Sequence, residues 1–67
     1  MKMTINGEER DCEAATLVEL CAAEGVDPGR RGIALALNGR VVPRGEWEHI
    51  RLRPQDRIEI VRAFAGG

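Results

Sequence analysis

The chain has 67 residues, ten basic and eleven acidic, for a net charge of −1, and 43% of it is hydrophobic. That describes one small domain, too apolar to be disordered and too short for an enzyme cleft with its own supporting shell. The charges are interspersed with no basic stripe, which argues against a nucleic-acid footprint, and no apolar run approaches the length of a membrane span.

In chain order, Met1, Met3 and Ile5 alternate with Lys2 and Thr4, the period of a half-buried strand. Asn6-Gly7 suits a type I′ turn, whose two central residues need positive φ. The return strand, about 8–13, is very polar, so it is expected at a sheet edge with Cys12 as its main inward residue. Thr16 with Glu19 three residues on reads as a capping box, and Leu17, Leu20 and Cys21 share one helical face. Gly25 suits the left-handed residue that closes a helix, with Val26 packing back on it, so a helix is expected over 17–24. The stretch 27–32, DPGRRG, is a loop by its proline and glycines.

Ile33, Leu35 and Leu37 alternate with small alanines, Asn38-Gly39 repeats the turn signal, and Arg40 to Val42 return to a stop at Pro43. The stretch 44–52 has no clear period and reads as irregular or a short helical turn, anchored by Trp47 as a lid on the core; a binding surface is the alternative reading of that tryptophan. The stretch 53–56, RPQD, is a turn. A last strand begins at Arg57, with Ile58 and Ile60 on one face and Glu59, Val61 and Ala63 on the other.

Strand, strand, helix and three strands give an α+β fold in which one helix covers one mixed five-stranded sheet. If the first and last strands pair in parallel at its centre, this ββαβββ order is the ubiquitin-like β-grasp. The expected division is a domain over 1–64 and a flexible tail over 65–67.

The residue types needed for catalysis do not assemble. His49 stands alone, Asp56 suits a turn cap, and Cys12 and Cys21 read as reduced, buried hydrophobes. Two distant cysteines and one histidine do not make a zinc set. With no signal peptide in view, the expected location is cytoplasmic. The remaining candidate is the carboxyl end, AGG. Two glycines without Cβ atoms can enter a slot that branched side chains would block, and 63–67 fully extended reach about 17 Å. A carboxylate resists attack until ATP turns it into an acyl-adenylate.

At LNGRVVPRGEW (37–47) and DRIEIVRAFAGG (56–67) the chain resembles the sulfur-carrier proteins of thiamine biosynthesis, the ThiS type. Asn38, Val42, Pro43, Arg44, Trp47 and the Gly-Gly end fall as in that family, over the whole chain, while Gln55 stands where a glycine is usual. The resemblance implies a carrier and not an enzyme. An E1-like, ThiF-type adenylyltransferase using ATP and magnesium would activate Gly67. Sulfur drawn from cysteine by a desulfurase would make a thiocarboxylate, and a ThiG-type thiazole synthase would take that sulfur. Gly66 and Ala65 would deliver the end. Phe64, Val61 and Ala63 are the expected docking residues. The small subunit of molybdopterin synthase, a ubiquitin-like modifier and a plain β-grasp interaction module are the alternatives.

Overall fold

A computed structural model of the chain describes residues 1–62. The elements are β1 (Lys2–Ile5), β2 (Glu8–Asp11), α1 (Leu17–Ala23), β3 (Ile33–Leu37), β4 (Arg40–Val42), a 3-10 turn (Arg44–Glu46) and β5 (Arg57–Arg62). The sheet runs β2-β1-β5-β3-β4, with β1 and β5 parallel at its middle and the other neighbours antiparallel. The expected ββαβββ arrangement is therefore present.

Both Asn-Gly pairs adopt the conformation their turns require: φ is 50° and 82° at Asn6 and Gly7, and 52° and 84° at Asn38 and Gly39. The return strand β2 is exposed at all four positions and lies at the sheet edge. It stops at Asp11, two residues short of the expected Glu13. Cys12 turns inward just beyond it and donates its N–H to the Met1 carbonyl at 2.8 Å.

Helix α1 has only seven residues, too few to persist by itself, so its buried face holds it in place. Leu17, Leu20 and Cys21 are fully buried. Burying one such leucine contributes about 1.5–3 kcal/mol. At its start the Glu19 N–H donates to Thr16 Oγ1 at 3.3 Å. The returning arm of the capping box differs from expectation: Glu19 Oε1 accepts from the Ala15 N–H at 3.5 Å, one residue before the cap. At its end Val26 N–H reaches the Cys21 carbonyl and Gly25 N–H the Ala22 carbonyl, with Gly25 at φ 75°. That pair of bonds is a Schellman motif.

The core gathers Met3, Ile5, Leu17, Leu20, Leu35, Trp47, Leu52 and Ile58 between the helix and one sheet face. Trp47 is 3% exposed and its Nε1–H donates to the Val42 carbonyl at 2.9 Å, so the lid reading holds. No helix among the described residues is long and apolar enough to cross a membrane.

Candidate functional site

Strand β5 carries the chain toward its carboxyl end, and two asparagines fix its path. The Asn38 side chain accepts the Arg57 N–H at 2.8 Å and donates to Asp56 Oδ1 at 3.1 Å. Asp56 Oδ2 in turn accepts the Arg53 N–H at 2.8 Å. Past the middle of β5, Asn6 Oδ1 accepts the Ile60 N–H at 2.7 Å. β1 has already turned away there, so the side chain continues the ladder that the backbone of β1 has left. Asn38 was marked in the sequence by its turn and by the resemblance and Asn6 by its turn alone; neither tie to β5 was foreseen, because the contacts lie 19 and 54 residues away along the chain.

The last described residue, Arg62, pairs with Ile33 at the start of β3. The pole where β5 ends is therefore bordered by the loop 27–32. Arg44 pins that loop. Its guanidinium donates to the carbonyls of Pro28 and Arg30, the latter at 2.9 Å, and stacks on Trp47 at 4.3 Å from the ring centroid. Gly29 N–H closes onto Asp27 Oδ1 at 2.8 Å. The border of this pole is held by side chains that the packed tryptophan itself positions.

The outer face of the sheet, away from the helix, carries an apolar stripe. Val61 pairs with Ala34, and Ala36 with Val41, across three neighbouring strands. Val61 and Val41 are 55% and 73% exposed, the large hydrophobics that face solvent. The expected docking residue Val61 is thus where the alternation put it. Ala63 and Phe64, also expected to dock, and Ala65, Gly66 and Gly67, expected to deliver and carry the cargo, lie outside the described residues. Val41 was not foreseen. The signal was present, since alternation in a strand places one of Val41 and Val42 outward, but the register that sets Val41 against Ala36, two residues along β3 from the Ala34 that faces Val61, was not readable.

Among the described residues no three His, Cys, Asp or Glu side chains come together as a metal-ligating group. His49 pairs only with its neighbour Glu48, at 3.6 Å. The described surface is a platform: an apolar stripe running to the pole from which the carboxyl end departs.

The family model described as "ThiS family" matches residues 3–67. The sulfur carrier protein ThiS of Escherichia coli is 34% identical over 68 residues, covering all of both chains. A thiazole synthase of Paramagnetospirillum magneticum is 41% identical over 68 residues, which is all of this chain and 20% of that protein. The chain thus spans about one fifth of the length of that relative. Among solved structures, the crystal structure of a thiamine biosynthesis protein (ThiS) from Geobacter metallireducens superposes with a TM-score of 0.81 at 26% identity, covering all of both chains.

Proposed function

The chain belongs to the ThiS family, and from that premise we propose that it is a sulfur carrier of thiamine biosynthesis whose cargo rides on Gly67. The observation that carries this reading is the full-length match to a sulfur carrier protein, together with a family match that runs through Gly67 itself.

The chemistry follows from the weakness of a carboxylate as an electrophile. A carboxylate oxygen of Gly67 attacks the α-phosphorus of ATP in a ThiF-type adenylating enzyme, and pyrophosphate leaves. The acyl-adenylate carbonyl then has a good leaving group. A persulfide, whose outer sulfur comes ultimately from a cysteine desulfurase, adds to that carbon, AMP departs, and a thiol then cleaves the resulting acyl disulfide, leaving as the oxidised disulfide. The product is a thiocarboxylate, which a ThiG-type thiazole synthase consumes. ATP and its magnesium belong to the partner. That a thiazole synthase contains a stretch resembling this whole chain supports the thiazole route over other sulfur-transfer pathways.

The carrier's part is presentation. The stripe of Val61, Ala34, Ala36 and Val41 offers a partner an apolar grip beside the departing chain end. Phe64 and Ala63 extend that grip in this reading. Gly66 and Gly67, with no Cβ, admit the end to a narrow channel, with Ala65 leading.

Incubation with an adenylating enzyme of this type, ATP, magnesium and a sulfur donor is the direct test. Intact mass should rise by the difference between one sulfur and one oxygen atom. No gain in mass, with a partner shown to be active, removes the carrier reading.

A further inference from the structure

An activated acyl group reacts with any amine or thiol it meets, so a carrier is endangered by its own side chains. We propose that this fold keeps its amines and thiols out of reach of its own activated carboxyl end, leaving the acyl group to external sulfur. The inference rests on the carrier reading above and adds to it a property of the chain alone.

The inventory of nucleophiles is short. Nine of the ten basic residues are arginines, and Lys2 is the sole lysine. A guanidinium stays protonated and has no free lone pair to attack with. Lys2 lies at the pole opposite the chain end. Its carbonyl accepts the Gln55 N–H at 2.7 Å, and β1 runs parallel to β5, so Lys2 is level with residue 55 and seven residues behind Arg62. Seven strand residues span ~23 Å. The five residues 63–67 cover at most ~17 Å and an extended lysine side chain adds ~6 Å, so contact would need every residue after Arg62 fully extended back along β5 with none spent on reversing direction. The Lys2 ammonium is also held 3.6 Å from Glu9. The Met1 amine is at the same far pole, between Glu13 at 3.2 Å and Asp11 at 3.4 Å. Its hydrogen bond to Glu13, above all, raises its pKa and favours the protonated, unreactive form. Both thiols are shut in the core, Cys12 at 8% exposure and Cys21 at 0%, and burial pushes the Cys21 thiol up, toward its neutral form.

The step being avoided is simple. A lysine Nζ lone pair attacks the Gly67 carbonyl carbon, the bond to the leaving group breaks, and the leaving group departs with the amine's proton. The product is an internal amide that no longer carries sulfur.

The test needs no partner enzyme. The full chain is prepared as a thioester of a small thiol at Gly67 and followed by intact mass at mildly alkaline pH. The wild-type chain should decay to the free acid, at a rate that Lys2→Arg leaves unchanged. Arg31→Lys puts an amine two residues before Ile33, the partner of Arg62, at an exposed position beside the chain end. That variant should yield a species one water lighter than the free acid, independent of protein concentration, in about tenfold or greater excess over wild type. Arg62→Lys should do the same and guards against a local fault at residue 31. Wild-type chain that forms the internal amide as readily as the variants overturns the proposal, and so do variants that form none. Because the thioester is made chemically, this outcome is independent of whether a partner enzyme loads sulfur.

Discussion

Gln55 sits at φ 75°, in the left-handed region that glycine adopts freely and a side chain other than Asn or Asp enters at a cost. It is exposed, and its backbone N–H is committed to the Lys2 carbonyl, so the turn cannot relax by rotating away. The resemblance marked this position as one where glycine is usual, and the structure supplies the reason. Gln55→Gly should therefore raise stability by about 0.5–1 kcal/mol, the relieved strain less the added freedom of the unfolded chain. Gly25 is the opposite case, at the same φ of 75° with nothing within 4 Å of an added Cβ. Gly25→Ala should cost about 1 kcal/mol from backbone strain alone. Thermal unfolding of both variants checks the pair, with shifts of opposite sign and a few degrees each. A stabilised Gly25→Ala would show that left-handed geometry is not what these two positions share.

At the scale of elements, the sequence was most legible where one short-range rule decides. Asn-Gly set both hairpin turns, Thr16 with Glu19 set the helix start, and Gly25 with Val26 set its end. Strand boundaries were less legible, since β2 is polar throughout and nothing in it marks Asp11 as the last paired residue. The outer stripe was half legible: alternation gave Val61, while Val41 depends on which residues face each other across β4, β3 and β5. That register yields a prediction. Val41→Asp and Val61→Asp change outward side chains that support no core, so each should alter stability by no more than about 0.5 kcal/mol. A charge in the middle of an apolar contact is costly to bury, so affinity for the adenylating partner should fall tenfold or more, at about 1.4 kcal/mol per decade. Calorimetric titration with that partner, beside a melting curve, separates the two effects. Unchanged affinity in both variants would place the docking surface elsewhere.

At the scale of the whole molecule, the fold divides its labour between two poles. Among the described residues the buried core cluster runs from Met3 to Ile58, and the partly buried Ile60 is the last packed against it. Strand β5 joins every central contact: parallel to β1, antiparallel to β3, and tied at Arg57 by Asn38 and at Ile60 by Asn6. The parallel pairing of β1 with β5 was expected from the element order, but the two asparagine ties were not readable, because they link segments far apart in the chain. A domain of this size has a total stability of about 3–10 kcal/mol, which its core must supply. Gly67 has no side chain to give to that core. The deletion variant should then melt within about a degree or two of the parent and keep its spectrum, as the loss of a single terminal residue usually allows. Under the proposed function it loses the carboxylate position offered for adenylation, and shifts the remaining glycine one residue back, ~3.3 Å short of the reacting phosphorus. Sulfur loading, read by intact mass, should vanish while the melting temperature stays. A deletion that instead lowers the melting temperature by many degrees would mean that the last residue holds the domain together, and a carrier that needs its end for folding has none to hand over.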